Sequence, residues 1–178
     1  QNVPQGGAIP DWIGWTLEVA GISECKVDRP APGTITVYPL TDDADPANRI
    51  PAGAKLTEVE DYITDPVRAP IRAGSVSVVA PTEIEFDVDI ADLSPNTAPV
   101  KTAVEDAIEA HLYSRRPKQY SDEPDPRDIV SEARLSAIAV SAGAEVATVD
   151  LKNAGGTSIT DYELPINELA KLRTLTWT

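Results

Sequence analysis

Residues 82–92 read TEIEFDVDIAD, with Glu83, Glu85, Asp87 and Asp89 at alternate positions and Ile84, Phe86, Val88 and Ile90 between them. Side chains of a strand point alternately to its two faces, so the stretch predicts a strand with one apolar and one anionic side. The apolar half belongs to a core. The anionic half has four readings: a metal site, a catalytic cluster, a docking surface, or the solvated face of a half-buried strand. Alternate strand residues lie ~6.6–7 Å apart, whereas calcium–oxygen distances are ~2.3–2.6 Å. Neighbouring carboxylates can therefore share an ion, but the four cannot enclose one. A half-buried strand with a wet face is the expectation. Acids are poor strand formers and repel one another at this spacing, so the ladder is expected to oppose edge-to-edge pairing or to face a basic surface. Arg and Lys from a neighbouring strand are the alternative source of neutralisation.

Upstream, DWIGWTLEVA reads as a short helix, with Trp12, Trp15, Thr16 and Val19 on one face and Gly21 as its stop. ISECKVDR and GTITVYPL read as a hairpin-like pair of strands around RPAPG. Leu56, Val59 and Ile63 mark a second helix that ends at Asp65-Pro66, and SVSVVAP is a further strand punctuated by Pro81. Downstream, SPNTAPVKTAVEDAIEAHLYSRR is the longest helix, with Val100, Val104, Ala107, Ile108 and Leu112 as its stripe and Arg115 and Arg116 at the negative end of its dipole. Asp125-Pro126 predicts the start of another helix through Ile129, Val130, Ala133, Ala137 and Val140, closed by Gly143. AEVATVDL is a strand, ELPINELAK a mixed connection and LRTLTW a final strand. The order is α-β-β-α-β followed by β-α-α-β-β. It predicts an α+β fold of two small lobes, residues 11–81 and 82–178, with short mixed or antiparallel sheets packed by helices. Residues 1–10 read as a linker from a missing N-terminal region, because the chain contains no Met and opens on the loop-like QNVPQGGAIP.

With 178 residues and 42% hydrophobic content the chain can bury a real core. Its formal charge of −14, from 15 Lys and Arg against 29 acids, disfavours nucleic acid as a partner, because phosphate binding needs a concentrated cationic surface. No run of ~18 apolar residues predicts a membrane span. Cys25 is the single cysteine and His111 the single histidine, so thiolate zinc clusters and intramolecular disulfides are excluded. Cys25 lies in a strand-like run and reads as a structural thiol, and His111 flanks an apolar helical stripe and reads as a packed histidine. TDDADPAN and SDEPDPRD carry acids, but prolines break the calcium-loop pattern and solvated turns are expected there. No nucleophile elbow, zincin motif, P-loop or dinucleotide fingerprint occurs. The residues therefore predict no enzyme, no cofactor and no metal. Trp12 and Trp15 read as core or interface anchors, with a ligand platform as the alternative.

The words and their order resemble the baseplate J-like family of contractile-tailed phages, in its Mu-like form. PQGGAIPDWIGWTLEVAGISECKVDRPAPGTITVYPLTDD carries the likeness through a Gly-Gly approach, a Trp-bearing helix, a glycine turn and a PGTITV strand. IRAGSVSVVAP, the alternating strand, VKTAVEDAIEAHL, ELP and LRTLTW continue it, from about Gln5 to Trp177. The chain resembles the family's C-terminal portion. It departs in the charged insert RRPKQYSDEPDPRD, where a Gly-rich turn is common, and in INELAKL, where a Leu-Gly step is common.

The resemblance implies a structural baseplate wedge subunit that assembles with copies of itself and other wedge proteins around the tail hub, linking host contact to sheath contraction. It implies a place in the virion tail baseplate, assembled in the host cytoplasm, or the equivalent place in another contractile injection machine. The expected partner surface is Glu83, Glu85, Asp87 and Asp89 on the ladder, with Arg115, Arg116 and Lys118 as a basic cluster.

Overall fold

The computed structural model describes residues 7–41, 48–67, 75–117, 119 and 127–178. The chain divides into two compact units, Gln1–Pro81 and Thr82–Thr178. Both mix helices with short sheets, so the fold class is α+β as expected.

In the first unit, helix α1 (Ile9–Leu17) begins two residues earlier than its apolar spacing suggests. Pro10 sits in its first turn, where the missing N–H costs nothing, and the Asp11 carboxylate accepts the Ala8 N–H at 3.1 Å. Strands β1 (Ile22–Asp28) and β2 (Thr34–Thr41) pair antiparallel across a turn in which Gly33 adopts φ +78°. Helix α2 (Gly53–Ile63) follows, and strand β3 (Ser75–Val78) joins the other side of β2 in parallel. Pro39 is tolerated in this central strand because β3 pairs only with Thr34 to Val37, leaving the proline with β1 alone. Trp12, Trp15, Val27, Val37, Val59 and Ile63 pack the core between sheet and helices.

The second unit opens with the alternating stretch as strand β4 (Thr82–Ser94), which runs through the centre of its sheet. β6 (Val146–Asn153) lies antiparallel on one side and β8 (Glu168–Trp177) parallel on the other. A central strand has no free edge, so the ladder does not guard one; this corrects the edge-protection reading. Helices α3 (Ala98–Ser114) and α4 (Glu132–Ser141) cover the apolar side. Phe86, Val88 and Ile90 meet Val104, Ile108, Leu112 and Leu135 there, all fully buried.

Three downstream expectations change. The helix foreseen from Asp125-Pro126 starts at Glu132, after a short strand β5 (Ile129–Ser131); Asp125 and Pro126 lie outside the described residues. Its buried residues are Leu135 and Ala139, while Ala133, Ala137 and Val140 of the expected stripe are exposed. The helix is apolar on two sides, and periodicity alone chose the wrong one. The third change concerns ELPINELAK, whose flanks are strands: β7 (Asp161–Glu163) pairs with β5, and β8 begins at Glu168. Gly143, at φ +114°, does close α4, with its N–H on the Val140 carbonyl and the Ala144 N–H on that of Ala139.

The β4–β8 register slips by one residue, so that Phe86 faces Leu172 but Asp87 faces Thr174. The extra residue, Arg173, is the reason Leu172 and Leu175 both face the core although three positions separate them. Deleting Thr174 should leave a strictly alternating strand with Leu175 and Trp177 in place. The expected loss in urea unfolding is about 1.5–3 kcal/mol, that of one charge-assisted hydrogen bond. Phe86→Ala, which opens the core, should cost about 3–5 kcal/mol.

Candidate interaction surfaces

The anionic side of β4 is not a wet face. Glu83, Glu85 and Asp89 are half-buried and Asp87 is 9% exposed. Its neutralisation comes from the two flanking strands. Lys171 on β8 reaches Glu83 at 2.7 Å, and Lys152 on β6 pairs with Asp89 and lies 3.3 Å from Asp150. The bulge places Arg173 and Thr174 against the same carboxylate. Arg173 Nε donates to Asp87 Oδ1 at 2.8 Å, its Nη2 donates to Oδ2, and the Thr174 hydroxyl donates to Oδ1. A bidentate guanidinium fork on a carboxylate is among the stronger pairings available to side chains. The Arg173 and Thr174 hydrogen bonds hold the Asp87 carboxyl below its ordinary range, against the opposing effect of burial. The Asp89 and Asp150 carboxylates raise Lys152 in turn.

Glu85 is the exception within the ladder. Among the described residues it has no hydrogen bond or ion pair, although its charge helps raise Arg173. The ladder is therefore a mixed-charge face in which, among the described residues, one acid lacks a direct ion pair. No group of three or more His, Cys, Asp or Glu is placed to hold a metal ion among the described residues.

Arg115 and Arg116 end α3 as expected. Arg116 donates to the Tyr113 and Arg115 carbonyls and lies 5.5 Å from the Tyr113 ring centre, and Arg115 Nη2 donates to Ser114 at 3.3 Å. Lys118 and most of the two acidic turns lie outside the described residues. The pocket beside Arg115 escaped the sequence reading; it has a volume of about 410 Å³ and is lined by Arg115, Ile129, Ser131, Ala133, Arg134 and Ala137. The exposed Ala133 and Ala137 were its trace in the sequence, assigned there to the core.

The platform reading of the tryptophans fails. Trp12 is 1% and Trp15 6% exposed within their own unit, their rings meet edge to face at 5.0 Å, and the Trp12 indole donates to the Gly7 carbonyl. Two rings closed in a core offer no face to a ligand. Cys25 is buried and burial pushes its thiol up to about 12, so it is not a thiolate nucleophile at neutral pH.

Among the described residues, His111 Nε2 is buried without a hydrogen-bond partner. Burial first, then the charges of Arg115 and Arg134, pull its pKa from 6.5 down to about 4.

A solved structure titled "Cryo-EM structure of the anti-feeding prophage (AFP) baseplate, 6-fold symmetrised" contains a chain of similar fold, with a TM-score of 0.60 over 93% of this chain and 37% of that one at 11% identity. That likeness defines the class of fold: an α+β arrangement that also occurs in a chain of that baseplate. The curated "Putative protein JayE" of Escherichia coli (strain K12) is 26% identical over 175 residues, 98% of this chain and 60% of that protein. The chain thus spans less than two thirds of the length of either relative. Residues 4–80, a little under half of the chain, match the Baseplate J-like central domain.

Two acid-dependent losses of stability are expected. His111 favours its neutral form in the fold, so its unfolded state takes up a proton first. Stability should fall as pH drops from 6.5 toward about 4, and His111→Gln should flatten that limb of the unfolding midpoint against pH. Asp87 contributes fully above the ordinary carboxylate range and loses its contribution as pH falls through its lowered value. Asp87→Asn, measured by urea unfolding at neutral pH, should cost about 1.5–3 kcal/mol.

Proposed function

We propose that this chain is a structural subunit of a contractile-tail baseplate and works in the wedge, where it assembles with itself and other wedge proteins into the ring around the hub. That ring couples host contact to sheath contraction. The observation that carries the reading is the Baseplate J-like match over residues 4–80, joined to a fold over most of the chain that also occurs in a baseplate. The role is non-enzymatic: the described surfaces are ion-paired faces and shallow relief, and Cys25 and His111 are packed rather than poised. Its place is the virion tail baseplate, assembled in the host cytoplasm. A second reading, the equivalent subunit of a contractile injection particle, is favoured by the likeness to the anti-feeding prophage baseplate.

The partner surface on β4 narrows to Glu85. Asp87 is a poor choice for testing assembly because Arg173 and Thr174 depend on it. Among the described residues Glu85 has no such hydrogen bond or ion pair, which suits it to meet a basic group on a neighbour. Affinity purification of the protein from cells expressing the whole tail cluster should recover the other baseplate subunits as a defined complex. Its recovery alone would overturn the reading. Glu85→Gln, which removes the charge without placing a cation beside Arg173 and Lys171, should reduce that recovery while circular dichroism shows the chain folded.

A further inference from the structure

The sheet β6-β4-β8 has two outer edges, and the chain treats them differently. Along β6 it doubles back: the Asn153 N–H donates to the Thr157 carbonyl, the Ile159 N–H donates to that of Leu151, and Lys152 bridges Ser158. Among the described residues no strand borders the outer side of β8. The residues of this unit outside the described set, 118 and 120–126, are flanked by Arg116 and Arg127, whose backbones join at 2.9 Å beyond the C-terminal end of α3. Trp177 stands at the other end of that helix, beneath Lys101. Lys101 and Ser114 lie about 20 Å apart along the helix axis.

An open edge is ordinarily guarded by charge, by proline or by a bulge. The earlier part of β8 has such guards in Lys171, Arg173 and the slip of register beside them. Its last stretch, TLTWT at residues 174–178, has none. It alternates threonine with Leu175 and Trp177, carries no charge and is made of strand-forming residues, the composition that pairs readily with another strand. Thr174, Thr176 and Thr178 are exposed, whereas Leu175 and Trp177 pack against the core and remain only partly buried.

The backbone of this stretch presents its free groups to that side. The Thr178 N–H donates to the Ile90 carbonyl at 2.9 Å, so Thr176 and Thr178 turn their peptide groups toward β4. Alternation then aims the N–H and C=O groups of Leu175 and Trp177 outward. The stretch is also its own complement. Laid antiparallel on a second copy about a twofold axis at Thr176, it sets Leu175 and the second copy's Trp177 opposite each other as hydrogen-bonded pairs, and Thr174 opposite the second copy's Thr178. Aromatic–aliphatic and threonine pairs are favourable cross-strand neighbours. Lys171 and Arg173 fall outside the paired residues, so like charges do not meet.

We infer that residues 174–178, at the outer edge of β8, pair antiparallel with the same residues of a second copy and join two three-stranded sheets into one of six strands. The contact is isologous, so it closes at two copies. It rests on the baseplate reading above for its use in an assembly, while its geometry stands on the edge alone. Five residues a side bury less than the roughly 1,200 Å² of a stable free-standing interface. The pair therefore forms reversibly at raised concentration and tightens where other contacts hold the copies together.

The test traps the pair in the full chain. At the twofold point Thr176 meets its counterpart as a non-hydrogen-bonded pair with Cα atoms about 4.5 Å apart, within reach of a disulfide. Thr176→Cys should give a disulfide-linked dimer under mild oxidation, whereas Ser141→Cys, also exposed but at the end of α4, should not. Cys25 is buried and stays out of the reaction. Thr176→Lys and Thr176→Glu should each weaken reversible association in sedimentation equilibrium about fivefold, and an equal mixture of the two should recover it. Circular dichroism should show every variant folded. A Thr176→Cys dimer no more abundant than that of Ser141→Cys, or charge variants that associate as the wild type does, overturns the inference. So does Thr176→Cys cross-linked to a different subunit in oxidised lysates of cells expressing the whole tail cluster, which assigns the edge to a strand of that subunit. If these tests fail while the affinity experiment still recovers the baseplate complex, the inference falls alone; if the dimer forms and no complex is recovered, the baseplate reading falls and the pair stands.

Discussion

The second unit depends on one constraint: β4 is hydrogen-bonded on both sides and packed by helices on one face, so the acid it buries most deeply, Asp87, must be neutralised where it stands. A buried or half-buried carboxylate without a partner is costly, and a central strand cannot twist aside to reach water. The flanking strands answer with Lys152, Lys171 and Arg173. The bulge in β8 follows from the same requirement, since it brings both Arg173 and Thr174 to Asp87 while keeping Leu175 and Trp177 on the apolar side.

Elements whose apolar residues fall on one face were legible from the sequence. The alternation of β4, the stripe Val104, Ile108, Leu112 on α3 and the β1–β2 pair all declared themselves, because only one face was available to bury. Where two faces were apolar the reading went astray, as in α4, whose Leu135 and Ala139 are inside while Ala133 and Ala137 are not. The short strands β5 and β7 have three residues each and too little pattern to register. The character of the ladder was half legible: the acids were plain, but their partners are distant in sequence, and periodicity carries no information about which strand becomes a neighbour. For the same reason the pocket beside Arg134 was invisible, being made where α3 ends and α4 begins rather than by any one segment.

The two units distribute their chemistry differently. The first closes both tryptophans and its thiol into a core, leaving little that a ligand would recognise. The second gathers opposite charges on one face, where Lys171, Arg173 and Lys152 meet the acids of β4. Charges matched in this way hold a unit's own shape.

The pairing of β4 with late strands also bears on how the chain is made. Its cations arrive 63, 86 and 88 residues after the acids they meet. Until then FDVDI is an apolar, strand-forming segment with neither sheet neighbour in place, the kind of sequence that joins other copies into aggregates. Charges interleaved with such a segment act as gatekeepers, because like-charged copies repel one another. Three of the four ladder carboxylates, Glu83, Asp87 and Asp89, anchor the finished sheet through Lys171, Arg173 and Lys152.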